Sequence, residues 1–196
     1  MKTALKLFLN KGVRKSYGQF GEDAVIQAAL KHIKKGKYVD VGAYDPVLYS
    51  NTYALYKNGW SGVVIDPNGS KESAFRLYRP RDTFVKAGVG HKDVRRYYIF
   101  KDGAYNSFER PDGSIASELV SIRPLQDFMD KDVSFLNIDV EGMDLEVLKS
   151  YDWSHKPLLI AVEAKMGSEC QQLLETQGYT LSAMAGCTLL FSYEAR

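Results

Sequence analysis

Three apolar runs in this chain stop at an acid with a glycine or proline close behind. That pattern constrains the fold more than any other. The runs are Tyr38-Val39-Asp40-Val41-Gly42, Gly62-Val63-Val64-Ile65-Asp66-Pro67 and Phe135-Leu136-Asn137-Ile138-Asp139-Val140-Glu141-Gly142. Such runs read as parallel strands buried on both faces. In an open α/β sheet, ligands bind beyond the carboxyl ends of the strands, where the strand order reverses. Asp40, Asp66 and Asp139 are therefore expected at a ligand pocket.

The rest of the chain keeps an alternating rhythm. A helix is expected from Gly21 through about Lys35, with Val25, Ile26, Ala29, Leu30 and Ile33 as its apolar stripe. Ser50 is placed to cap a helix carrying Tyr53, Leu55 and Tyr56. Further strands are expected over residues 83–87 and 158–163, a helix over 168–177, and a closing hairpin from strands 179–184 and 188–193. Residues 95–122 interrupt the rhythm with two strands around a polar loop, residues 101–114. The pattern predicts an α/β, Rossmann-like fold: a mostly parallel seven-stranded sheet with a C-terminal antiparallel hairpin and helices on both faces. At 196 residues, one domain is expected, with residues 1–35 as an N-terminal helical cap and 36–196 as the core.

Composition narrows the partners. A net charge of +2 is too small to imply nucleic acid, and aromatic interleaving among the basic residues is missing. Arg76, Arg79 and Arg81, like Lys92, Arg95 and Arg96, read as solvated faces. Cys170 and Cys187 are too few for a zinc site and demand no disulfide, so a reduced, cytoplasmic chain is expected. The start, Met1 to Leu9, is broken by Lys6 and has no small-residue cleavage site, so no signal peptide is read there. No apolar run approaches the length of a membrane span.

The first strand end also speaks to the cofactor. A nicotinamide domain needs G-x-G-x-x-G there, so that backbone can approach a pyrophosphate. This chain has Gly42-Ala43-Tyr44-Asp45-Pro46-Val47, with tyrosine at the second glycine position and valine at the third. Tyrosine bulk obstructs a pyrophosphate. A nucleoside cofactor without phosphates fits better, and S-adenosylmethionine is the common one.

Three segments carry a family resemblance. They are Gly18-Gln19-Phe20-Gly21-Glu22-Asp23; Asp40-Val41-Gly42-Ala43-Tyr44-Asp45 followed by Ser50-Asn51-Thr52; and Ile138-Asp139-Val140-Glu141-Gly142-Met143-Asp144-Leu145-Glu146-Val147-Leu148. In this order, over nearly the whole chain, they resemble the FkbM-type S-adenosylmethionine-dependent methyltransferases. The resemblance implies the class I methyltransferase fold and methyl transfer, usually to a hydroxyl on a sugar or natural product. Two departures stand out: Asp66 where family members usually carry glutamate, and Ala164-Lys165 where a small polar residue is expected.

The expected cofactor contacts are Gln19, Asp40, Gly42, Ala43, Tyr44, Ser50, Asn51, Thr52, Asp66, Pro67, Gly88, Val89 and Asp139. Asp66 would accept both ribose hydroxyls, although it could equally cap the following turn. Asp40 could be a turn-stabilising acid. The amides at the start of the helix after Thr52 could receive the methionine carboxylate. Glu22 and Asp23 are either contacts to the methionyl end or acids favouring a helix start.

Asp139, Glu141 and Glu163 are the expected catalytic acids. One carboxylate would take the hydroxyl proton, or the three would hold a divalent cation, Mg²⁺ or Mn²⁺ rather than zinc. His155 is an alternative base. The acceptor is expected over the interrupting loop, at Tyr105, Asn106, Ser107 and Phe108. A sugar-containing acceptor of a glycan, glycolipid or glycosylated metabolite is expected. The rivals are a non-sugar hydroxyl or amine, and an inactive cofactor-binding assembly module.

Overall fold

The computed structural model describes residues 16–101, 106–109 and 112–194. The expectation for the chain's first residues thus lies outside the described residues, as does Tyr105. In chain order the elements are α1 (Glu22–Ala29), β1 (Lys37–Val41), α2 (Tyr53–Lys57), β2 (Ser61–Asp66), α3 (Glu72–Tyr78), β3 (Thr83–Lys86), β4 (Gly88–Val89), β5 (Asp93–Ile99), β6 (Ala116–Arg123), β7 (Val133–Ile138), α4 (Asp144–Lys149), β8 (Leu159–Glu163), α5 (Glu169–Thr176), β9 (Thr180–Ala185) and β10 (Thr188–Ser192). Short 3₁₀ turns precede α3 and β7.

Seven strands form the main sheet in the order β3-β2-β1-β7-β8-β10-β9. The first five are parallel, and β10 runs antiparallel to both β8 and β9. The expected sheet and hairpin are therefore present. Chain order reverses between β1 and β7, so the crevice opens there, above Gly42 and Asp139. The two strand ends meet closely. Gly42 has φ 85°, and a Cβ on it would fall on the Asp139 carbonyl oxygen, so only glycine fits.

Side chains alternate across the strands and build two cores. Val39, Val41, Leu136, Ile138, Ile160 and Val162 face α4 and α5, where Val147, Leu148 and Leu174 meet them. Tyr38, Val64, Phe135 and Ala161 face the other way, onto Ile26, Leu55, Tyr56 and Phe75 of α1 to α3. By the same alternation Asp40 and Asn137, partners in register, lie on this second face. α1 is shorter than expected, ending at Ala29 rather than Lys35. The Ile33 amide turns back to the Leu30 carbonyl, and Gly36 packs against Trp60, which brings the chain down to β1.

The interrupting stretch makes a second sheet, β4-β6-β5. β4 leaves the main sheet one residue after β3 and pairs in parallel with Ile122 and Arg123, while β5 and β6 form an antiparallel ribbon. Arg95 of β5 clamps this sheet to α4 with two bonds to Glu146, at 2.7 and 2.9 Å.

One expectation about the basic residues fails. Arg79 is fully buried, not solvated. Its Nε donates to Asp82 at 2.6 Å, Nη1 to Ser50 Oγ at 3.2 Å, and Nη2 to Thr52 Oγ1 at 2.9 Å and Tyr38 OH at 3.0 Å. The Tyr38, Tyr56 and Phe75 rings surround the guanidinium. Arg81 stays exposed as expected, with its guanidinium over the Tyr56 ring, 3.8 Å from its centre. Arg76 does follow expectation, exposed and paired with Glu72.

Breaking a buried pair leaves an uncompensated charge, which costs about 3–5 kcal/mol. Arg79→Leu is expected to lower urea-unfolding stability by about that amount, whereas Arg76→Leu stays within about 0.5 kcal/mol of the native chain.

Candidate functional site

A cavity of about 400 Å³ opens beyond the carboxyl ends of β1, β2, β7 and β8. Its size and setting match those of small-molecule sites. Three loops wall it: the turn after β1, the turn after β2, and the loop after β7. Residues 18–21 close one side. Phe20 packs against Gly186 of the β9–β10 turn, and Gly18 approaches Glu22 and Asn51.

The first turn is organised from beneath. Asp40 accepts from Thr52 Oγ1 at 2.5 Å and from Asn137 Nδ2 at 2.9 Å, and Asn137 accepts from Asn51 Nδ2 at 3.1 Å. Asp40 and Asn51 therefore line the cavity as parts of a buried polar lattice. The turn-stabilising reading of Asp40 holds, and it coexists with a place in the wall. Thr52 is buried behind the wall and does not line the cavity, because its hydroxyl serves Asp40 and Arg79. Ser50 caps α2 by accepting from the Tyr53 amide at 3.1 Å. With that amide occupied and only five residues in α2, the helix start offers little to a carboxylate.

Asp66, at the end of β2, holds the second turn. One oxygen accepts from the Asn68 amide at 2.8 Å, and the other takes the Lys71 ammonium at 2.6 Å. Burial raises its pKa against the pull of Lys71. Each oxygen keeps a lone pair, so the carboxylate is still able to accept ribose hydroxyls. Lys71 was not anticipated. It bridges Asp66 and the face of the Tyr44 ring, 4.9 Å from its centre. Gln19, Gly42, Ala43, Tyr44, Pro67, Gly88 and Val89 all line the cavity, as expected. Glu22 lines it too, accepting from the Phe20 amide at 2.8 Å, whereas Asp23 faces Ser16 and Tyr17 and serves only that turn.

The loop after β7 presents the acids. Asp139, Glu141 and Glu163 bring carboxylate oxygens within 4.8 Å of one another. Asp139 is open to the cavity, yet protein walls surround the cavity itself. That enclosure first, and then the neighbouring Glu163 carboxylate, push its pKa up to about 8. A second carboxylate this close disfavours charge on Asp139, the usual effect of like charges in contact. Beside them the Cys187 thiol is pushed up to about 11 by burial and by Glu163, and stays protonated.

Glu141 adopts φ 54°, a left-handed conformation uncommon outside glycine and characteristic of functional turns. Asp144 fixes this turn by accepting from the Gly142 amide at 3.2 Å and the Val140 amide at 3.4 Å. Burial pushes Asp144 up to about 6. A second depression, of about 470 Å³, adjoins this end. It shares Glu141, Glu163 and Cys187 with the cavity, and Ala164, Lys165, Met166 and Met184 line it further out.

Asn106, Ser107 and Phe108 also line the cavity, but against Ala87, Gly88 and Tyr97 rather than beside the acids. Ser107 exchanges two backbone bonds with Tyr98, so residues 106–109 are an anchored third pass along β5. His155 is not a base here. Its Nε2 meets the Val133 carbonyl at 2.8 Å, at the amino end of β7, opposite the cavity. No helix among the described residues is long and apolar enough to cross a membrane.

Comparisons with known proteins bear on the family and the fold. The model of the methyltransferase FkbM domain matches residues 40–181. Among solved structures, methyltransferase FkbM from Methylobacillus flagellatus KT is similar, with TM-score 0.54 and 19% identity over 82% of this chain. The match covers 44% of that protein, so this chain spans less than half its length. A methyltransferase from Geobacter sulfurreducens has TM-score 0.53 at 14% identity, covering 98% of this chain and 87% of that one. The Burkholderia thailandensis 1,6-didemethyltoxoflavin-N1-methyltransferase, solved with 1,6-didemethyltoxoflavin and S-adenosylhomocysteine, has TM-score 0.51 at 11% identity, covering 99% and 86%. At such identities the likeness is one of fold. Nothing among the curated proteins matches. The family match spans most of the chain and contains the acid-bearing ends of all three strands, and on that ground the protein belongs to the FkbM methyltransferase family.

Proposed function

We propose that this methyltransferase takes its methyl group from S-adenosylmethionine and places it on a sugar hydroxyl of a glycan, glycolipid or glycosylated metabolite. One observation carries the reading: Glu163 stands with Glu141 and Cys187 in the wall common to the nucleoside-sized cavity and the adjoining depression, and Asp139 faces the cavity within 4.8 Å of both acids. A cofactor in the cavity and an acceptor in the depression would then meet at the one place equipped to take a proton.

The residues fit the cofactor. Asp66 offers a carboxylate where ribose hydroxyls are read in related folds, and Gly42 keeps the first turn low beside Asp139. Gln19 adds a polar contact from the side closed by residues 18–21, and Asn51 one from the first turn. The cofactor supplies an electrophilic methyl on a sulfonium; all other work belongs to the chain. The walls exclude water and align acceptor oxygen with methyl carbon, a matter of positioning. Ionised Asp139, with Glu163 sharing the charge, accepts the hydroxyl proton as the C–O bond forms. Glu141, held out by its turn, and Lys165 offer hydrogen bonds to neighbouring hydroxyls, while Met166 and Met184 present apolar surface to the ring face. The acceptor thus moves from the expected loop to the side of β8.

A metal-assisted reading is favoured by one observation, the three carboxylates within 4.8 Å. Mg²⁺ or Mn²⁺ there would lower the pKa of the bound hydroxyl.

Incubation with labelled S-adenosylmethionine and a panel of unmethylated glycosides, with non-sugar alcohols and amines alongside, is expected to label a glycoside. Label only on the other compounds would replace the sugar. Binding of S-adenosylhomocysteine without transfer to any acceptor would favour the assembly module. Turnover is expected to survive excess chelator; abolition by chelation and rescue by Mg²⁺ would establish the metal-assisted version. Asp139→Asn is expected to lower kcat by about 10²–10⁴ while sparing cofactor affinity, as loss of an acid–base group does.

The same substitution is expected to stabilise the fold. An unfolded aspartate titrates near about 3.9, whereas folded Asp139 holds its proton to about 8. Between those values the folded state binds more protons than the unfolded one, so stability falls as pH rises and levels off above the higher value. Thermal melts of Asp139→Asn should therefore exceed those of the native chain most above pH 8, with the gain vanishing toward pH 4.

A further inference from the structure

The depression beside β8 holds one cation among acids. Lys165 is the single basic residue among those that line it, with Glu141, Asp144 and Glu163 as the acids. Lys165 is exposed, and its ammonium has no hydrogen-bond or ion-pair partner among the described residues. An acid is nevertheless close at hand. The Ala164 amide bonds the Cys187 carbonyl at 3.1 Å, so the chain stays extended past the end of β8. Two extended residues place the Lys165 backbone about 7 Å from that of Glu163.

The turn that carries Lys165 is fixed. The Ser168 amide donates to the Lys165 carbonyl at 3.1 Å, and Gly167, at φ 75°, takes the left-handed position such a turn needs. Gly167 is tied to α5 twice: its amide donates to Gln171 Oε1 at 2.8 Å, and its carbonyl accepts from Gln172 Nε2 at 3.1 Å. Ser168 then caps α5 by accepting from the Gln171 amide. The backbone under Lys165 and Met166 is therefore set before any ligand arrives. Met166 and Met184, 59% and 61% exposed, add apolar surface to the same walls.

An ammonium can serve a hydroxyl, but it holds an anion better, because both partners of that bond are charged. The acids decide where the anion lies. Glu141 and Glu163 repel negative charge from their own end, so an anionic group is admitted at Lys165, with the reacting hydroxyl turned toward Asp139. Attraction at one end and repulsion at the other select both the acceptor and its direction.

We propose that the acceptor carries an anionic group, a carboxylate, sulfate or phosphate, which Lys165 binds while the acids exclude it from the reacting end. The inference rests on the sugar-methylating reading above and narrows its substrate to acidic glycosides. Lys165, standing where a small polar residue is expected, becomes the residue that sets this specificity.

Calorimetry on the chain saturated with S-adenosylhomocysteine tests this without turnover. Neutral methyl hexosides are compared with the matching uronides, 6-sulfates and 6-phosphates, so the arms also identify the anion. At low salt an acidic member is expected to bind about fivefold more tightly than its neutral partner, the upper end for an exposed pair. The gap should narrow as ionic strength rises. Lys165→Gln is expected to erase it by weakening the acidic compound, and Lys165→Arg to keep it. S-Adenosylhomocysteine affinity reports that both variants are folded. Acidic members no tighter than their neutral partners in every pair would overturn the proposal, as would a gap that survives Lys165→Gln. Failure of the sugar reading is a separate result, labelled transfer to non-sugar alcohols alone. Hydroxy acids and their methyl esters then form the matched pairs, and the same gap is read on them.

Discussion

The buried Arg79 guanidinium is the interaction on which the cavity floor depends. It closes an ion pair with Asp82, itself bonded by the Tyr38 hydroxyl and the Gly62 amide, each at 2.8–2.9 Å. From its other nitrogens it orders Ser50 and Thr52, and Thr52 in turn orders Asp40. A single cation thus joins the start of β1, the start of β2, the end of α3 and the turn after β1. A buried ion pair is not by itself a large source of stability, since desolvation offsets most of the attraction. Its value here is geometric: no apolar replacement would fix four polar partners at once.

On this floor the two ends of the cavity have opposite electrostatic characters. At β2, Lys71 neutralises Asp66, so the wall there can meet an uncharged nucleoside. At β7 and β8, carboxylates crowd together, and their enclosure and mutual repulsion raise the pKa of Asp139. The difference follows from what each strand end carries. β2 is followed by a turn that returns Lys71 five residues later, whereas β7 is followed by two left-handed residues, Glu141 and Gly142, which turn the chain back with its acids still facing inward.

Much of this was legible in the sequence. The seven strands, the hairpin and the acids were set by local signals, apolar runs and the residues that stop them. Asn137 also announces itself, being the one polar residue within Phe135-Leu136-Asn137-Ile138, and its partner Asp40 breaks the first run in the same way. Arg79 was hidden because nothing near it differs from Arg76; its burial is decided by Tyr38, Ser50 and Thr52, up to 41 positions away. The second sheet was half visible. β5 and β6 read as strands, but β4 is two residues long and exists only through its pairing with Ile122 and Arg123. Asn106 was picked out, yet its position in the cavity depends on that sheet, so its neighbours could not be read from the chain.

The Arg95–Glu146 clamp gives the second sheet a mechanical meaning. Glu146 belongs to α4, whose first residue, Asp144, shapes the turn that carries Glu141. The sheet that brings Asn106 to one wall is therefore tied through one helix to the turn that brings the acids to the other. The two walls form a caliper with a charged pivot, not two independent surfaces. Since Arg95 and Glu146 are about one-third exposed, solvent ions reach the pivot and screen it. The stiffness of the caliper is accordingly a property of the medium as well as of the chain.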